Sequence, residues 1–279
     1  AQTSLGGKTL IETHIRQRTG ALVIGLWEKG KFEIPGPQTL IKSTTLLLLA
    51  GTMEQLDSFE QCFAVSDTSD TSVLILGGGR VGLAVAETLE QQGMRYRIVE
   101  KRPTLVAGKG ENFINGDAAD LDVLERAGVN KARTVIVTTH NDAVNIYLTF
   151  YCRQLRPDIQ IITRATNERS VSKLHMAGAD LVLSYASMGA NSIINVLNPD
   201  EISMFTEGLN VFNLPVPKSL AGKTLITSNI RESTGCSVVA LKKLEDLVVG
   251  PDPALPLDGE DELILIGTTE SERRFLELF

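Results

Sequence analysis

Apolar and polar positions along the chain fall into three stretches with different rhythms. Between Ser72 and about Asn198, short apolar runs alternate with amphipathic segments of helical period. The runs lie at 72–76, 96–100, 112–115, 135–138, 159–163 and 181–184, and the helical segments at 83–92, 120–127, 143–155 and 170–177. A further amphipathic stretch, 188–197, follows the last run. Apolar strands separated by such helices predict an α/β fold built on a doubly wound parallel sheet.

The two flanks repeat each other. Ser4-Leu-Gly-Gly-Lys-Thr-Leu-Ile-Glu-Thr-His-Ile-Arg-Gln-Arg-Thr-Gly20 returns 215 residues later as Ser219-Leu-Ala-Gly-Lys-Thr-Leu-Ile-Thr-Ser-Asn-Ile-Arg-Glu-Ser-Thr-Gly235. In each copy the pattern predicts a helix from Lys-Thr-Leu to Thr-Gly, with Gly20 and Gly235 as left-handed C-caps. An apolar strand follows (21–26 and 236–241), then a turn carrying Pro35 and Pro37 or Pro251 and Pro253. A second strand (46–52 and 262–268) and a short helix (53–63 and 270–279) close each copy. Three domains are therefore expected: a small α+β module at 1–65, the parallel-sheet domain at 70–200, and a second α+β module at 205–279. The boundaries fall in the polar run 64–71 and near Asn198-Pro-Asp200.

Candidate chemistry gathers at the first strand of the middle domain. Gly77, Gly79 and Gly82 stand at G-x-G-x-x-G spacing between that strand and a helix. Such a turn brings backbone amides and a helix N-terminus to a diphosphate, the signature of a Rossmann-like nucleotide fold. The next strand ends in Glu100, where a carboxylate can accept both ribose hydroxyls of adenosine and repels a 2′-phosphate. NAD(H) or an adenine nucleotide is favoured over NADP(H), although Lys101 and Arg102 are neighbouring cations able to hold a 2′-phosphate. Arg80, inside the glycine turn, can reach a phosphate or stand solvated at the helix start. Asp117 can bond the adenosine end or cap the helix near Asp120. Thr138, His140 and Arg164 lie at other strand ends, where ligands of such sheets bind.

Composition narrows the classes. A formal charge of −7 argues against a nucleic-acid surface. The longest apolar run, 46–50, is far too short to cross a bilayer. Cys62, Cys152 and Cys236 lack metal spacing and are expected as buried thiols of a reducing compartment. The acidic run 258–262 and the helical trio Glu54, Asp57 and Glu60 are expected as solvated faces, so no metal site is predicted. The competing reading, an NAD-dependent oxidoreductase, is short of catalytic groups. Of the three histidines, His14 has Asn229 as its repeat counterpart and His175 sits on a helix. Only His140 lies near the cleft mouth.

The middle stretch resembles the RCK (regulator of K⁺ conductance) or Trk-type NAD-binding domain. The matching residues are Gly77-Gly-Gly-Arg-Val-Gly82, Glu100, and Ile114-Asn-Gly-Asp-Ala-Ala-Asp-Leu-Asp-Val-Leu-Glu-Arg-Ala-Gly128, continuing through Ala132-Arg-Thr-Val-Ile-Val-Thr138 and His175-Met-Ala-Gly-Ala-Asp180. The flanking modules are similar to that family's C-terminal subdomain. The resemblance implies a non-catalytic gating domain on the cytoplasmic face of the membrane, acting on a potassium channel or transporter pore and assembling as a homo-oligomer. Carried over by position, Gly77, Gly79, Arg80, Gly82, Glu100, Lys101, Asp117, Thr138 and Arg164 would hold the regulatory NAD(H), ADP or ATP. The order module, Rossmann, module further implies part of a tandem polypeptide, with a pore or an upstream Rossmann half before Ala1. The 188–197 helix is the candidate for crossing to a partner subunit.

Overall fold

The computed structural model describes residues 4–28, 31–42, 44–63, 72–197, 203–206, 209–243 and 246–279. The boundaries expected at 64–71 and 198–200 lie outside these residues. The chain divides into two compact units. One comprises Glu28–Lys31 with Val65–Ala186, and the other Ala1–Trp27, Phe32–Ala64 and Ser187–Phe279.

The first repeat copy opens with two short helices, α1 (Leu10–Thr13) and α2 (Ile15–Thr19), where the pattern predicts one. The break is His14, at φ 50°, and its counterpart Asn229 breaks the second copy at φ 51°. Among the described residues these are the only non-glycine positions with positive φ. A left-handed residue ends one turn and starts the next on a new axis, which apolar periodicity does not reveal. The predicted C-caps are present: Gly20 has φ 76° and Gly235 φ 78°. Strands β1 (Leu22–Glu28), β2 (Lys31–Glu33) and β3 (Leu46–Ala50) form a sheet of order β2-β1-β3, and α3 (Met53–Phe63) follows. Leu5, Ile15, Ala21, Ile41 and Phe63 make its core. Glu54, Asp57 and Glu60 are exposed on α3. Cys62 is also exposed, contrary to expectation, because it shares the outward face of α3 while Phe63 turns inward.

The middle unit alternates as the pattern requires. Its elements are β4 (Ser72–Leu76), α4 (Arg80–Gln91), β5 (Arg95–Glu100), α5 (Pro103–Val106), β6 (Phe113–Asn115), α6 (Leu121–Ala127), β7 (Thr134–Val137), α7 (Asp142–Leu155), β8 (Gln160–Ala165), α8 (Val171–Ala177) and β9 (Leu181–Ser184). The strands are all parallel in the order β6-β5-β4-β7-β8-β9, so the order reverses beside β4. Two apolar layers cover the sheet. One centres on Leu74, Leu76, Leu124, Val137 and Leu148, the other on Ile75, Ala86 and Ile98. Cys152 is fully buried in the first layer, and burial pushes its thiol up to about 12.

Helix α9 (Tyr185–Leu197) starts directly after β9, earlier than the predicted 188. It leads to β10 (Ser203–Thr206) and β11 (Leu209–Pro215). The second copy then gives α10 (Leu225–Ser228), α11 (Ile230–Thr234), β12 (Ser237–Lys243), β13 (Asp246–Val249), β14 (Glu262–Thr268) and α12 (Thr269–Leu278). Its sheet has the antiparallel order β10-β11-β14-β12-β13. Ile24 of the first copy packs with Leu209 and Ile266 of the second. Arg16 donates to the carbonyls of Gly250 and Pro251, each at 3.3 Å, and its repeat counterpart Arg231 donates to the carbonyl of Pro35. The two modules thus clasp each other by the same arginine. No helix among the described residues is long and apolar enough to cross a membrane.

Candidate functional site

Where the strand order reverses, the carboxyl ends of β4, β5 and β7 diverge and leave a cleft of about 640 Å³. Its floor is the glycine turn. Gly77 takes φ 116°, and its N–H donates to the Val99 carbonyl at 2.9 Å. Gly82 presses the first turn of α4 onto it so closely that a Cβ would lie 2.0 Å from the Gly77 carbonyl oxygen. Thr138 staples the same carbonyl from β7, its hydroxyl donating at 2.8 Å. With Gly79 as N-cap and no side chain capping it, the first amides of α4 remain available at the cleft floor.

Glu100 closes one wall. Its residue is 6% exposed, with Oε2 accepting from Gly78 N–H at 2.8 Å and Oε1 from the Arg102 N–H and Nε, both at 2.9 Å. Burial pushes its carboxyl up, but the hydrogen bonds from the Arg102 side chain, the Arg102 amide and the Gly78 amide outweigh it. The group is held below its ordinary value of 4.5. Its stabilising contribution is therefore complete above that value and is lost as pH falls through the lower folded one. Glu100→Gln is expected to flatten the acid limb of stability as pH falls below the ordinary carboxylate value of 4.5, as chemical denaturation would read it. Asp117 and Asp142 are also held low, so the limb should shrink rather than vanish. A limb as steep as the wild type's would show that Glu100 does not drive it.

The remaining expected residues divide. Lys101 turns to Asp117 at 2.6 Å, and Asp117 also accepts the Ala119 N–H at 3.0 Å, pinning the turn ahead of α6. Both line the cleft. Arg80 is exposed on the first turn of α4 and does not line it. Nor does Arg164, which is 7% exposed behind His140. Its guanidinium lies 4.7 Å from the Tyr185 ring and donates to the Tyr185 hydroxyl at 3.2 Å, the Thr166 hydroxyl at 3.3 Å and His140 Nδ1 at 3.4 Å.

Two contributors escape the sequence. Arg102, weighed only as a neighbouring cation, lines the cleft and holds Glu100. Asn145, fully buried on α7, donates to the carbonyls of Thr139 and Arg164 and accepts the Thr139 hydroxyl at 2.6 Å, tying the ends of β7 and β8 together. A polar residue on the apolar face of a helix is the one signal that marks it.

A family model for the TrkA-N domain matches residues 73–185, and one for the TrkA-C domain matches 3–64 and 211–279. Potassium channel protein 1 of Methanocaldococcus jannaschii is 30% identical over 210 residues, 71% of this chain and 63% of that protein. Ktr system potassium uptake protein C of Bacillus subtilis is 29% identical over 212 residues, 72% of this chain and 94% of that protein. A crystal structure of the GsuK RCK domain is 39% identical with a TM-score of 0.60, covering 99% of this chain and 60% of that one. The GsuK channel bound to NAD is likewise 39% identical, with a TM-score of 0.59, covering 99% and 50%. The chain thus spans less than two thirds of the channel proteins it matches, both archaeal ones included.

Proposed function

The chain belongs to the family built of TrkA-N and TrkA-C domains, and from that premise we propose that it is a nucleotide-sensing regulatory segment of a potassium channel or transporter. NAD(H) or an adenine nucleotide, ADP or ATP, is the ligand, and Gly77, Gly79, Gly82 and Glu100 form its site. Lys101, Asp117 and Thr138 support the cleft around it, and Arg80, exposed on the first turn of α4 outside the cleft lining, would have to swing inward to reach a phosphate. Residues 70–200 are the sensor, and 1–65 and 205–279 are the modules that transmit its state. The observation that carries this reading is Glu100, a buried carboxylate at the end of β5 anchored directly to the amide of the glycine turn.

Its role is regulatory rather than catalytic. His140, the histidine at the cleft, is partnered by a guanidinium instead of the carboxylate that orients an imidazole for proton transfer. A ligand shifts an assembly only by its difference in affinity for two states. Nucleotide contacts spanning β4, β5 and β7 favour the state in which those strand ends are drawn together. Helix α9 exposes Met188, Ile193 and Val196, an apolar surface suited to a second subunit of a homo-oligomer at the cytoplasmic side of the pore.

Calorimetric titration with NAD⁺, NADH, ADP, ATP and NADPH tests the reading. Saturable binding of at least one adenine nucleotide is expected, with Glu100→Ala weakening it by about tenfold or more. NADPH should bind more weakly than NADH. Silence from every ligand, or equal affinity for NADPH and NADH, would defeat it.

A further inference from the structure

Two side-chain donors converge on one residue of the cleft floor. A Cβ built on Gly79 would lie 3.6 Å from His140 Nε2 and 4.0 Å from Arg102 Nη2. Gly79 has no conformational reason to be glycine, since its φ of −75° suits any residue. It has no steric reason either, because 3.6 Å is ordinary contact, unlike the 2.0 Å at Gly82. What the missing methyl preserves is a slot, floored by the start of α4 and walled by an imidazole and a guanidinium.

Both walls are held from behind. Glu100 Oε1 takes the Arg102 amide and Nε, leaving the two Nη groups without a hydrogen-bond partner among the described residues. On the other side a guanidinium can only donate, so Arg164 Nη2 at 3.4 Å makes His140 Nδ1 an acceptor. The neutral ring then carries its proton on Nε2, the nitrogen that faces the slot. Arg164 is itself fixed by Tyr185 and Thr166.

The geometry points to a two-sided phosphate clamp. His140 Nε2 and an Arg102 Nη group donate to the non-bridging oxygens of the nucleotide's diphosphate from opposite sides of Gly79, and Arg164 is the positioning residue for His140. This rests on the reading of the cleft as a nucleotide site and names the side chains that set its response to phosphate.

ADP and adenosine, titrated calorimetrically into the whole chain and its variants, separate the possibilities. His140→Ala and Arg102→Ala are each expected to weaken ADP by about tenfold; His140→Ala should leave adenosine nearly unchanged, and Arg102→Ala, which also releases Glu100, should weaken adenosine by a smaller factor than ADP. His140→Gln, whose Nε2 amide reaches the same place, should retain most of the ADP affinity. Arg164→Ala should cost ADP as much as His140→Ala and add nothing to it in the double variant. Gly79→Ala should melt like the wild type yet lose ADP. The clamp is overturned if the variants weaken ADP and adenosine by the same factor, if they leave ADP untouched, or if His140→Gln behaves as His140→Ala does. Failure of the wild type to bind ADP is a different result, and it overturns the nucleotide reading itself. Should Arg164→Ala unfold, the exposed His140 and Arg102 variants still decide the outcome.

Discussion

Asp180→Ala is expected to cost about 3–5 kcal/mol of stability, because it strips a buried charge of its partner. Asp180 is 2% exposed and its Oδ2 takes Arg153 Nη2 at 2.8 Å and the Ile161 N–H at 2.7 Å. Arg153 also donates to the carbonyls of Gly178, Pro157 and Ile159, so one guanidinium ties α7 to the entry of β8 and the end of α8. Alanine leaves that guanidinium, 16% exposed, without a counter-ion and the Ile161 amide without an acceptor. Urea denaturation followed by circular dichroism should show a lower midpoint with an unchanged slope. Asp180→Asn, which keeps an acceptor but not the charge, should fall between the two. A loss below about 1 kcal/mol would mean that solvent replaces the carboxylate.

Gly82→Val should remove both stability and ligand binding. Any Cβ at this position meets the Gly77 carbonyl oxygen at 2.0 Å and Thr138 Oγ1 at 3.1 Å. The first obstacle is backbone and has no rotamer to escape into. Either α4 lifts from the turn or the turn opens, and both break the Thr138 staple on Gly77. Overpacking of this kind costs about 1–3 kcal/mol, at the upper end where backbone must move. Because the displaced atoms are the phosphate-facing amides, ADP binding should disappear along with the lost melting temperature. A valine variant that melts as the wild type does and still binds ADP would show that α4 does not need this close approach.

Much of this architecture was legible because its signals are local. Gly77, Gly79 and Gly82 follow an apolar run and precede a helical period, and Glu100 ends the next run. Chain-local spacing therefore brought the turn and its carboxylate together. The repeat was equally plain, yet it hid the break at His14 and Asn229, since a single left-handed residue leaves apolar spacing intact. Strands β10 and β11 lie outside the matched repeat segments, so the repeat pattern does not mark them. Within the site, spacing did not rank Lys101 against Arg102. Which of two consecutive side chains turns back over the cleft depends on the twist at the end of β5, and the structure sends Lys101 to Asp117. The meeting of His140 with Arg164 joins residues 24 apart, one in the loop after β7 and the other on β8, so only parallel pairing of β7 with β8 reveals it.

The reciprocal arginine clasp carries a consequence for how this molecule can change. In a pair of identical subunits every substitution appears on both sides of the axis, so an improvement on one face is tied to its mirror image. Here the two faces are separately written in one chain, and they have already drifted apart: Arg16 reaches two carbonyls and Arg231 one, and His14 stands where the other copy has Asn229. Covalent linkage also makes their association independent of protein concentration. One half is thereby free to specialise while the other keeps the pairing, a latitude that a symmetric dimer lacks.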